Sequence, residues 1–187
     1  MSKADILTSI RRNKPSSTPL PEIPDFEAVG SPLENFIQNH QAISEIGDIP
    51  QDLAAWVKKK HPDNPVIVSV VKEIDGTMEL NESQTPADFA GVDLTFLYGQ
   101  VGVGENGAIW VDESNFPYRI LPFITQHLVI ILDAEKIVAN MHQAYNTIQI
   151  DQTGFGVFIA GPSKTADIEQ SLVIGAHGPR SLTVFLR

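Results

Sequence analysis

The chain has 187 residues, 42% apolar and 19% charged, a composition that suits one domain with a real core, since domains commonly run roughly 100 to 200 residues. Its formal charge of -10 opposes general binding to a phosphate backbone, which is held by clustered Lys and Arg. Cysteine is absent, so disulfides, thiolate chemistry and cysteine-bound iron–sulfur clusters cannot be built from these residues.

No apolar run approaches the roughly 20 residues of a spanning helix. The opening "MSKADILTSIRR" carries Asp5 and lacks the apolar core of a secretory signal. The expectation is a soluble cytoplasmic protein that engages neither membrane nor nucleic acid.

Ser2 with Asp5 three residues on forms a capping-box-like start, and Ile6, Leu7 and Ile10 give a short apolar stripe, which predicts a small N-terminal helix. Pro15, Pro19, Pro21, Pro24 and Pro32 follow; each fixes its φ and lacks an N–H, so an extended arm is expected there. The organisation read from this is an N-terminal helix and proline-rich arm over 1–30 and a single α/β domain over 31–187.

"SPLENFIQNHQAI" predicts a helix with Ser31 as N-cap, Pro32 at its first position and Leu33, Phe36, Ile37 and His40 on one face. "DIPQDLAAWVKKKH" predicts a second, with Asp48, Pro50 and Gln51 as the start signal, Leu53, Trp56 and Val57 buried, and lysines at the negative end of the macrodipole.

The β-branched run Val66–Val71 reads as a strand covered on both faces. "VDLTFLYGQVGVGENGAIWVDES" reads as two strands joined by a tight turn or bulge, and "HLVIILD" as another buried strand. Asp133 is the expected cap of a helix over "AEKIVANMHQAY", with Ile137, Val138, Met141 and Tyr145 on one face. The tail reads as strand, turn, helix, strand. Short apolar strands alternating with amphipathic helices predict an α/β, Rossmann-like fold: a mostly parallel sheet with helices on both faces and a helical N-terminal arm.

"GPSKTADIE", from Gly161 to Glu169, resembles a phosphate loop only superficially. A Walker A loop needs a second glycine so that successive N–H groups point at phosphate. Here that glycine is missing, Pro162 removes an N–H, and Asp167 and Glu169 would repel an anion. The local chemistry instead predicts a helix capped by Ser163 or Thr165, with the two acids in its first turn.

The same stretch carries a resemblance. "FIAGPSKTADIEQSLVIGAHGPRSLTVFL" resembles the C-terminal signature of the LUD-domain family, the lactate-utilisation protein C family: G-P-S-[RK]-T-A-D-I-E, then G-[VA]-H-G-P, then a final strand, a match over about thirty positions. A looser likeness continues through "LPFITQHLVIILDAEKIV" and "VGVGENGAIWV", so it covers 65–187, with no recognisable part in the N-terminal third. Members commonly show E-T-G where this chain has Glu105, Asn106 and Gly107, a departure that weakens any role tied to the threonine hydroxyl.

The resemblance implies a fold related to CoA transferases and ribose-phosphate isomerases. It also implies a bacterial, cytoplasmic, non-redox accessory subunit of a system that oxidises L-lactate to pyruvate, working beside iron–sulfur proteins that hold the clusters, with no cofactor in this chain. "GENGAIWV" is similar to the S-E-N-G motif that carries the nucleophilic glutamate of CoA transferases. By that likeness Glu105 would attack a CoA thioester or serve as base toward a phosphorylated small acid, with His177 and Arg180 assisting. The other reading of Glu105 is an exposed acid on a glycine bulge.

The loop "AHGPR" brings His177 between Gly175 and Gly178, a position expected near the carboxyl ends of strands, where ligands of open α/β sheets bind. His177 reads equally as an acid–base group or as a residue satisfying loop carbonyls. Arg180 reads as an anion clamp or as a partner of Asp167 or Glu169.

The expected binding set is Gly161, Ser163, Thr165, Asp167, Glu169, Gly178 and Arg180, with Glu105 and His177 as the catalytic pair and a small organic acid or CoA ester as ligand. His127 reads as a satisfied core residue, and His40, His61 and His142 show no metal spacing, so no metal site is expected. Trp56 and Trp110 read as core filling. A homo-oligomer is compatible with all of this.

Overall fold

The computed structural model describes residues 2–16, 18–19, 21–24, 26–27, 29–149, 154–166, 172–175 and 177–187. The expected α/β fold is present. Its centre is a five-stranded sheet ordered β1-β11-β6-β3-β2, built from β1 (Glu45–Asp48), β2 (Ile67–Ser69), β3 (Leu94–Tyr98), β6 (His127–Leu132) and β11 (Ser181–Leu186), with every pair parallel.

Side chains alternate across a strand, and β6 shows the consequence. Val129 and Ile131 join Leu94, Phe96 and Phe185 under Leu53 and Val57 of helix α3 (Leu53–Lys60). Leu128, Ile130 and Leu132 face the other way, toward Phe36 of helix α2 (Pro32–Gln41) and Ile109 and Val111 of β5 (Ile109–Asp112). The central strand β6 is therefore apolar from Leu128 to Leu132, as a sheet buried on both faces requires, whereas β1 at the edge is mostly exposed.

The face opposite α3 is shared between α2 and a second, four-stranded sheet ordered β7-β4-β5-β8, formed by β4 (Val101–Val103), β5, β7 (Ile137–Val138) and β8 (Gly156–Ile159). The stretch 92–114 accordingly makes three strands where two were expected. Gly99 allows the turn, because a Cβ there would lie 2.6 Å from Ile109. Trp110 is buried in this second sheet against Phe158, the packing role expected of it.

Helices α1 (Lys3–Arg12) and α2 form as expected, with Ser2 and Ser31 accepting the Asp5 and Glu34 amide protons. Helix α3 starts later than expected: Asp52, accepting from Ala55, is its cap, while Asp48 ends β1 beside Leu186. The helix expected over 134–145 is also reduced. Ile137 and Val138 pair with Gly102 and Val103, and α5 (Met141–Thr147) begins at Asn140, whose side chain accepts from Gln143. Asp133 does cap, accepting from Glu135 at 3.1 Å, but the turn it starts, Ala134–Lys136, is a short 3-10 helix; in both places the longer helix yields to a ladder, because a β-branched or extended segment that finds a partner strand satisfies its backbone there.

Candidate functional site at the amino-terminal rim of the sheet

The helix start expected at Ser163 or Thr165 does not form, and residues 167–171, on which the body of that helix was expected, lie outside the described residues. Residues 164–166 form β9 (Lys164–Ala166), antiparallel to β10 (Leu172–Ile174), with Thr165 opposite Val173. A hydroxyl followed by acids caps a helix only if the next residues turn into αR; here the segment is held in a ladder. Asp167 and Glu169, and the side chain of Thr165, lie outside the described residues.

The two motifs do meet. Ser163 donates its N–H to the Pro179 carbonyl at 2.8 Å, and its own carbonyl accepts from Gly175 at 2.9 Å. A Cβ on Gly178 would lie 3.2 Å from Ser163 Cβ, and one on Gly175, at φ +78°, only 2.5 Å from Arg180 Cγ. Glycine at both positions permits the close approach. Gly161 packs beside Ile43, which follows α2.

The location differs from the expected one. The 175–180 loop leads into β11, and the Arg180 N–H donates to the Gln126 carbonyl, one residue before β6. The loop therefore sits at the amino-terminal rim of the parallel sheet, whereas the crevice rule concerns loops that leave strands at their carboxyl ends. His177 and Arg180 are both exposed there.

Glu105 is engaged elsewhere. Its N–H donates to the Ala139 carbonyl at 3.0 Å and its carboxylate accepts the Met141 N–H at 2.8 Å, at the start of α5. Asn106 accepts from Ala108 within the same turn, and Gly107 takes φ +71°. The turn is fastened to α2: Asn39 donates to the Gly104 carbonyl, and His40 Nε2 donates to the Gly107 carbonyl at 2.8 Å while Nδ1 accepts from Ser44. Glu105 faces a cavity of about 450 Å³ beside Phe26, Asn35, Asn140 and His142. Among the described residues, no hydrogen bond links Glu105 to the Ser163–Gly178 pair.

The sequence did not reveal a histidine pair at the same rim. His61, the C-cap of α3, lies against His127 at the start of β6, with ring centroids 4.6 Å apart. His127 is half-buried at the rim instead of sealed in the core, and its Nδ1 lies 2.7 Å from Ser181 Oγ on the neighbouring strand. Burial lowers the pKa of both imidazoles; the His127 and Lys60 charges add to this for His61, and the Arg180 charge adds to it for His127. The pair forms because α3 ends at the rim where β6 begins, a tertiary placement that neither local spacing nor strand register announces. Among the described residues, no group of three or more His, Asp or Glu is arranged to hold a metal ion, and no helix is long and apolar enough to cross a membrane.

Comparison with known proteins places this geometry. The chain is 36% identical over 99 residues to lactate utilization protein C of Shouchella clausii, covering 50% of this chain and 42% of the relative. It is 33% identical over 133 residues to the protein of the same name from Geobacillus kaustophilus, covering 68% and 53%. The matches thus span about half the length of these relatives. The crystal structure of a DUF162 family protein from Deinococcus radiodurans superposes with a TM-score of 0.55 at 15% identity, covering 83% of this chain and 93% of that one, which speaks for the fold. The LUD domain profile matches residues 23–186, so the likeness extends into the N-terminal third, where the motifs gave no sign of it, and the chain belongs to the LUD-domain family.

Proposed function

We propose that this chain is a non-redox component of an L-lactate utilisation system, acting beside iron–sulfur proteins that carry the electrons of lactate oxidation. The observation that carries the reading is the junction of Ser163 with Pro179 and Gly175: the two motifs most similar to the family signature form one surface. The names of the Shouchella and Geobacillus relatives supply the physiological context. A chain without cysteine contributes no thiolate ligand to a cluster, so its part is to bind, to dock, or both.

The Glu105 carboxylate, as a cap of α5, serves the fold; a transferase nucleophile would need it released toward a substrate. Deletion in the source cells, followed by growth on L-lactate and native mass measurement of the tagged chain, tests the proposal. Lost growth and recovery in a larger assembly are expected. Unchanged growth with a solitary chain would remove it.

A further inference from the structure

Helix α1 presents a face that the rest of the chain leaves uncovered. Spacings of three and four set Lys3, Ile6, Leu7 and Ile10 side by side, with Arg11 at their margin, while Asp5 lies on the far side and closes the capping box with Ser2. The three apolar side chains are exposed, and among the described residues no hydrogen bond or ion pair joins α1 to the body. Residues 1–14 hold four of the chain's 13 Lys and Arg and one of its 23 Asp and Glu, which puts them at +3 and residues 15–187 at -13. A short cationic helix with one apolar face fits a groove that is apolar at its floor and acidic at its rim.

The chain has such a groove. A cavity of about 1050 Å³ lies between α3 and the segment 73–77 beside β2, with the buried Leu53, Val57 and Ile67 and the half-buried Ile74 at its floor. Its rim carries Asp52, Glu73 and Asp75 against one lysine, Lys58. Asp52 accepts the Ala55 N–H and Glu73 meets Arg187 at 3.3 Å, which leaves Asp75 as the rim carboxylate with no hydrogen bond or ion pair among the described residues.

Reach decides which helix can occupy it. The arm is fastened at Phe26, which stacks on His142 with centroids 4.5 Å apart and whose carbonyl accepts from Asn140, at the start of α5. Helix α5 covers the outer side of the second sheet over β4 and β7, and α2 packs on both β7 and β1. The anchor therefore lies behind the second sheet near the β1 edge, whereas the groove lies beside α3 at the β2 edge. Over the surface, the width of the five-stranded sheet and three layer spacings separate them by roughly 50 Å. Residues 13–25 span about 45 Å at most, so the helix would need more than full extension to reach its own groove, and a neighbouring copy is the nearer host.

We propose that two copies of this chain exchange their N-terminal helices: α1 of each lays Ile6, Leu7 and Ile10 in the groove beside α3 of the other, with Lys3 and Arg11 toward its acidic rim. The exchange is isologous and closes at a dimer. Three apolar side chains per helix make it weak, with a Kd on the order of 10–100 µM, and at low-micromolar protein the chain is a monomer whose unfolding does not depend on α1.

Sedimentation velocity of the intact chain from about 1 to 500 µM tests this. A monomer–dimer equilibrium is expected, weakened by added salt. Leu7→Asp, at an exposed position, should weaken it by about tenfold or more, and Asp75→Lys, across the contact, by about fivefold. Because the chain has no cysteine, single thiols report the geometry: Ala4→Cys and Gln51→Cys chains, mixed and treated with a bismaleimide, should join into a dimer at a higher yield than either chain alone. A chain monomeric at every concentration, a dimer indifferent to both substitutions, or linkage no greater in the mixture than in the separate chains would overturn the proposal. A monomer that binds phosphatidylglycerol vesicles through α1 would assign the helix to a membrane surface and overturn it as well.

Discussion

The carboxylate of Glu105 accepts the amide proton of Met141 at 2.8 Å, tying the turn after β4 to the first residue of α5. A residue whose motif resembles a catalytic nucleophile thus satisfies one of the free N–H groups that every helix start leaves open. Glu105→Ala should lower stability by about 1 kcal/mol, the usual cost of a lost cap. Chemical denaturation measures this, and stability equal to wild type would show that the bond contributes nothing.

The glycine before it has a steric reason. A Cβ on Gly104 would lie 2.6 Å from the Pro32 carbonyl oxygen, and backbone cannot swing aside as a side chain can. Gly104→Ala should therefore cost about 1–3 kcal/mol and separate the start of α2 from the second sheet. The serine that precedes the glutamate in CoA transferases would meet the same obstacle. A denaturation midpoint unchanged from wild type would contradict this packing.

Stability should fall on mild acidification. His40 is fully buried between Gly107 and Ser44, and desolvation lowers its pKa from 6.5. The unfolded chain then binds the proton more readily than the folded one, so the contribution is complete above pH 6.5 and is lost as the pH drops from there toward the lowered folded value. His61 and His127 shift the same way. Urea unfolding between pH 7.5 and 5.5 should show the decline, with a shallower slope in His40→Gln.

The first helix behaves oppositely to the core. No residue of α1 is buried, and Ile6, Leu7 and Ile10 are 46%, 41% and 61% exposed. Removal of residues 2–14 should change stability by no more than about 0.5 kcal/mol, as for surface changes in general. A large loss in equilibrium unfolding would mean that the helix packs on the body.

Features set by local chemistry were legible in the sequence. Ser2 and Ser31 cap their helices as expected, and the continuous apolar run of β6 announced a sheet buried on both faces. Features that depend on a distant partner were not. The hydroxyls after Gly161 imitate a helix start, yet residues 164–166 lie in a ladder with β10; Ile137 and Val138 fit a helical face equally well until β4 lies beside them. The site shows the same division. The closeness of Ser163 to the Gly175–Pro179 loop was suggested by the two motifs, whereas the contact of His61 with His127 depends on where the end of α3 packs against the start of β6.

On the proposed reading, this chain serves lactate oxidation without carrying electrons itself. Oxygen uptake driven by L-lactate, compared between source cells with and without the chain, tests that most directly. Uptake that is lost on deletion and returns when the intact chain is supplied is the expected result; uptake indifferent to its presence would contradict the proposal.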